Sequence, residues 1–153
     1  MSDAKAIGSV EELGGLIELS DVAFLKVNGW LLEEPGEENS DEPEIRMFPY
    51  LGDDGLSLVV RVQTELHLEK AHIEVEVAVK YVLEEAIEPI GEGLMGEFLG
   101  RSAILTAGPY LREAIHTTGS RLRVEVPLMP LFKPTRLRPQ TFGEDGDQKI
   151  GTA

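Results

Sequence analysis

Two consecutive stretches alternate apolar and polar residues with a period of two, and only three residues part them. In LSLVVRVQTELHL, 56–68, the even positions Leu56, Leu58, Val60, Val62, Leu66 and Leu68 are apolar. Most odd positions, Ser57, Arg61, Gln63, Glu65 and His67, are polar. After Glu69-Lys70-Ala71, the run HIEVEVAVKYVL, 72–83, puts Ile73, Val75, Val77, Val79, Tyr81 and Leu83 on one parity. His72, Glu74, Glu76 and Lys80 take the other. Side chains alternate across a strand, so this pattern means two long strands with one apolar face each. So short a link makes them an antiparallel hairpin. A sheet with one wet and one apolar face needs a cover.

The flanking segments supply more strands and then the cover. Residues 16–32 are rich in strand formers. Ile17 and Leu19 share one parity and Val22 and Phe24 the other, so a β-bulge is expected at Ser20-Asp21. EEPGEENSDEPE, 33–44, is an acidic Pro/Gly linker too polar to pack. IRMFPYL, 45–51, reads as a short strand whose Pro49 belongs on a sheet edge or at a bulge. GDDG, 52–55, is a turn. Residues 88–102 form a Gly-rich crossover with a short helix expected around Leu94 to Leu99. From Ala103 to Thr118, Ile104, Ala107, Gly108, Leu111 and Ile115 recur at helical spacing, and Gly119 is the expected stop. Arg112, Glu113 and His116 fall on the polar side. Pro109 lies inside this helix; it removes an amide proton and crowds the Leu105 carbonyl, so a kink is expected there. Strands and helices are segregated along the chain. The fold class is therefore α+β: a four-stranded antiparallel sheet with one short and one long kinked helix on one face. Residues 1–15 read as a flexible or weakly helical lead-in, 16–132 as the folded domain and 133–153 as a mobile tail.

Composition narrows the function. The chain has 153 residues, enough for one domain with its own core. Its 14 Lys and Arg against 28 Asp and Glu leave a net charge of −14, which argues against nucleic acid as the partner. Cysteine is absent, which excludes disulfides and thiolate chemistry. No signal peptide is expected from MSDAKAIGSVEELGG, and no apolar run approaches the ~20 residues of a membrane span. The expectation is a soluble cytoplasmic protein without membrane insertion.

Three segments in order resemble the SecB protein-export chaperones. PYLREAI, 109–115, resembles the PYaRE.I segment of that family's long helix, through Pro109, Tyr110, Arg112, Glu113 and Ile115. SDVAF, 20–24, resembles its first-strand KDvSF at Asp21, Val22 and Phe24, and VPLMPLF, 126–132, resembles its apvnFdaLF run. The resemblance implies an ATP-independent holdase that binds unfolded polypeptides and forms homodimers or homotetramers through its helices. It also implies contact between an acidic sheet face, here Glu65, Glu74 and Glu76, and a basic region of the translocase motor SecA. SecB-like proteins that guard an antitoxin are the alternative within the family. Other readings are an interaction module with a single partner and a small-molecule-binding α+β domain, with Tyr81, Tyr110 or Arg112 pointing inward.

The chemistry of the residues agrees with binding and not with catalysis, and no cofactor is expected. There is no phosphate-binding loop and no nucleophile elbow, and Ser102 and Ser120 have no evident base. His67 and His72 flank the hairpin turn, but two imidazoles without a third ligand hold zinc weakly, so no metal site is expected. His116 reads as a surface residue, and the acidic loop with Glu33, Glu34, Glu37, Glu38, Asp41 and Glu42 lacks fixed calcium-binding geometry. Client-binding candidates are apolar residues beside polar linkers, because exposed apolar patches mark interaction sites. They are Trp30, Leu31 and Leu32, then Phe48, Tyr50 and Leu51, and Met129, Leu131 and Phe132 after the helix. Aromatics and methionine bury area without demanding fixed partners. The proline-marked edge strand also offers backbone groups for strand addition.

Overall fold

The computed structural model describes residues 3–36 and 44–127. Its elements are α1 (Val10–Leu16), β1 (Ile17–Leu31), β2 (Glu44–Leu51), β3 (Ser57–His67), β4 (Ala71–Leu83), α2 (Glu92–Phe98) and α3 (Ile104–Leu122). A π-helical turn, Leu99–Ala103, joins α2 to α3. The sheet is antiparallel with the order β1-β4-β3-β2, so the β3–β4 hairpin is central. This is the α+β architecture expected.

Register assigns the two faces. Leu58, Val60, Val62 and Leu66 of β3 pair with Tyr81, Val79, Val77 and Ile73 of β4, and all are buried beneath the helices. Thr64 fills the gap in this row; it is buried, and its hydroxyl has no hydrogen-bond partner. Leu56 departs from the expected row, because it precedes β3 and is 40% exposed. The cover comes from Met95, Phe98, Leu99, Ala103, Ile104, Ala107, Leu111 and Ile115, which pack on the strands as one core. Phe98 meets Tyr81 edge to face at 5.3 Å.

Local chemistry explains the irregular parts. β1 carries the expected register shift between Leu19 and Asp21 and a second between Phe24 and Lys26. The lead-in, residues 1–15, read as flexible or weakly helical, contains most of the capped helix α1. The Ser9 hydroxyl accepts from Glu12 N at 3.1 Å, and Glu12 Oε1 accepts from Gly8 N at 2.7 Å. Leu13 of that helix is fully buried. Gly119 does not stop α3; the helix runs on to Leu122. Arg123 takes a left-handed conformation, φ 59°, and ends it. Val124 N donates to Gly119 O at 3.0 Å and Arg123 N to Ser120 O at 3.1 Å, the paired bonds of a Schellman motif. Pro109 and Leu105, whose carbonyl loses its amide partner there, lie on the exposed flank of α3.

Tyr81 provides a pH test of this core. Burial pushes its phenol above the usual range; Thr106 and Ser102 oppose that rise without forming a hydrogen bond to the hydroxyl. An unfolded tyrosine ionises near pH ~10, so the Tyr81 contribution is intact below that value. It is lost as pH rises above ~10 and through the folded pKa. Urea midpoints measured from pH 8 to 11 are therefore expected to fall less steeply in Tyr81→Phe than in the wild type.

Candidate functional site

Edge position leaves β1 half-covered. Ile17, Leu19, Val22, Phe24, Val27 and Leu31 pair with the helix-facing row of β4, but β1 has no further strand beyond it. Leu19, Phe24, Val27 and Leu31 are 44–56% exposed, and Leu25, at the second bulge, is 52% exposed. The stripe continues onto α3, where Tyr110 meets Phe24 edge to face at 6.2 Å. Gly29 sets the approach of helix to strand. A Cβ placed there would lie 2.5 Å from Thr118 Cγ2 and 3.1 Å from Leu122 Cδ1.

The other flank of α3 carries a groove of about 420 Å³, lined by Pro109, Arg112, Glu113, Ile115, His116, Val126 and Pro127. Chain reversal at Arg123 brings Val126 back against the helix, over Gly119. A Cβ on Gly119 would stand 2.6 Å from Val126 Cγ1, so the lack of a side chain there seats the returning segment. The polar set expected to face away from the sheet, Arg112, Glu113 and His116, lines this groove. Glu113 and His116 are exposed, whereas Arg112 is half-buried, and its Nε is buried without an acceptor.

The candidate binding residues do not gather at one place. Trp30 and Tyr50 are each 41% exposed, on the face away from the helices and on opposite edge strands. Three strand spacings, about 14 Å, lie between them across the sheet, and Trp30 is level with His72 of β4 while Tyr50 is level with Lys80, about 26 Å further along the strands. Leu31 is exposed on the helix side; Leu32 and Leu51 are half-buried. Phe48 is buried on the open face beside Arg61, so it offers no surface. Met129, Leu131 and Phe132 lie outside the described residues. Leu31 belongs to the exposed stripe of β1, whereas its other members, Leu19, Phe24, Leu25 and Val27, are not among the candidates because their alternation fits a covered strand. The second bulge and the edge position together were the missing signal.

On the open face Glu65, Glu74 and Glu76 are neighbours, as Glu65 pairs in register with Glu74 and Gln63 with Glu76. Each has a basic group beside it. Lys26 Nζ bonds Glu74 at 2.8 Å, Arg61 bonds Glu76, and His67 Nε2 lies 3.3 Å from Glu65. Lys26 holds the Glu74 carboxyl below the usual range, with His72 adding to the effect against partial burial, and Glu74 raises Lys26 in return. Glu76 is 8% exposed, so its pairing with Arg61 compensates a buried charge. Tyr81, Tyr110 and Arg112 do not converge: the first is in the core and the others are on opposite flanks of α3. Among the described residues, no helix is long and apolar enough to cross a membrane.

No protein-family model and no curated protein matches the sequence. Among solved structures, the chain is similar to the Mycobacterium tuberculosis Rv1957 SecB-like chaperone, determined in complex with a ChAD peptide from the Rv1956 HigA1 antitoxin. The TM-score is 0.60 at 18% identity, over 80% of this chain and 91% of that one. The likeness is one of fold.

Proposed function

We propose that the chain is an ATP-independent holdase that binds non-native polypeptides in the cytoplasm and transforms no substrate. The observation that carries this reading is the apolar groove on α3, walled by Pro109, Ile115, Val126 and Pro127. Such walls accept apolar side chains of many shapes. The buried Arg112 Nε is a donor in want of an acceptor, and a client's main-chain carbonyl would supply one. The peptide held by the SecB-like chaperone of similar fold favours a polypeptide ligand. The second apolar surface, the β1 stripe with Tyr110, is assigned to self-association into dimers or tetramers, since patches of this kind are seldom left wet.

The same peptide complex favours a second reading, in which the client is one antitoxin. Docking of a basic SecA segment on Glu65, Glu74 and Glu76 is a weaker proposal, because Lys26 and Arg61 already occupy two of these carboxylates.

Aggregation of three unrelated denatured proteins, followed by light scattering, tests the reading. Suppression of all three at stoichiometric amounts is expected. Suppression of one alone favours a dedicated partner, and suppression of none overturns the proposal. Val126→Asp places a charge in the groove and is expected to weaken client binding by about tenfold or more, with circular dichroism confirming the fold. Phe24→Glu should leave that binding in place while shifting sedimentation toward monomer.

A further inference from the structure

The end of the β3–β4 hairpin gathers nitrogen and oxygen donors on the open face. His67 and His72 face each other in register across the hairpin, with their Nδ1 atoms 2.9 Å apart. Two neutral imidazoles in this position share a single proton; shifting it to the Nε2 of its own ring frees both Nδ1 lone pairs for a Lewis acid. One donor atom from each of Glu65, His67 and His72 lies within 4.8 Å of the other two. Glu65 is thus the third ligand that the two histidines lack when read from the sequence alone.

The surroundings are ordered for coordination. His72 Nε2 lies 3.1 Å from Glu74 Oε1, so an Nε2–H donated to that carboxylate leaves Nδ1 free to bind. Lys26 bonds the same carboxylate through its other oxygen and fixes it. Trp30 covers the His72 ring, centroid to centroid at 4.6 Å, and the His72 side chain is 12% exposed. Tetrahedral zinc with Zn–N bonds of about 2.05 Å places its ligands about 3.3 Å apart. The two Nδ1 atoms therefore need to part by a few tenths of an ångström, and the Glu65 carboxylate, 3.3 Å from His67 Nε2, must turn toward them.

We propose that Glu65, His67 and His72 form a binding site for a divalent transition-metal ion, with zinc the best match to two imidazoles and a carboxylate. Glu74 orients His72 from behind, and the remaining coordination position is open to water or to a partner's side chain. The site stands independently of the chaperone reading, since it lies on the sheet face away from the α3 groove.

Zinc chloride titrated calorimetrically into the full-length chain without an affinity tag tests the assignment. One equivalent per chain is expected, with affinity reduced at least tenfold in His67→Ala and in His72→Ala. Control replacement of Glu33 and Glu34 by glutamine should change nothing. In imidazole nitrogen spectra, zinc should move the signals of His67 and His72 and leave His116, on α3, in place. Absence of zinc binding, equal binding in wild type and His72→Ala, or equal shifts at all three histidines would overturn the proposal.

Discussion

Replacing Phe98 by alanine is expected to lower the free energy of unfolding by about 3–5 kcal/mol. Phe98 is 2% exposed and closes the end of α2 over the sheet, with its ring against Tyr81. Removing it deletes apolar area and leaves a void that its neighbours cannot fill. The backbone on its C-terminal side is already committed to the π-helical turn, and Leu99 and Ala103 of that turn are themselves fully buried. For a domain of this size the loss corresponds to a melting point about 10 °C lower. Leu105→Ala, on the 47% exposed flank of α3, is the control and should change stability by less than about 0.5 kcal/mol. Thermal and urea unfolding of both variants would settle the comparison; equal effects would mean that Phe98 is not the keystone of the helical cover.

Gly55→Ala is expected to cost about 3 kcal/mol, from two separate causes. Its φ is +71°, which an L side chain adopts at a cost of about 1–2 kcal/mol. A Cβ there would also lie 2.7 Å from the carbonyl oxygen and 3.0 Å from the nitrogen of Ile87, both backbone atoms that cannot swing aside. The turn is closed by Gly55 N to Gly52 O at 2.9 Å, and it holds residue 87 through Ile87 N to Gly55 O at 3.1 Å. Lys5 in turn pairs with the 86–88 segment, through its N to Ala86 O and from Glu88 N to its O, both at 2.9 Å. The substitution should therefore loosen the N-terminal strap as well as the turn. Amide exchange is the readout: faster exchange at Lys5, Ile87 and Glu88 is expected together with the lower urea midpoint. Loss of stability without local exchange at these sites would contradict this account.

Much of the fold was legible because period two is unambiguous over strands as long as β3 and β4. The edge placement of Pro49 and the bulge at Ser20-Asp21 were legible for a similar reason, each being a departure from a regular pattern. Other features hid behind tertiary contacts. Gly119 looks like a helix stop by composition, yet it is buried where Val126 returns, and Arg123 ends the helix instead. The π-helical turn has no sequence signature. Phe48 was singled out for the polarity of its flanks, which says nothing about what covers its face of the sheet. The reverse applies to Phe24 and Val27: their alternation suits a covered strand, and only strand order shows that nothing lies beyond β1. The groove joins residues 109–116 to residues 126 and 127 through a chain reversal, so local periodicity could not announce it.

The two borders of the sheet are blunted by different means. Double bulging breaks the even spacing of amide and carbonyl groups along β1, and Pro49 removes a donor from β2. An extended stranger can therefore pair only with the short stretches of backbone between these interruptions. On the proposed holdase reading, such borders would keep captured material from being templated into a growing cross-β fibril.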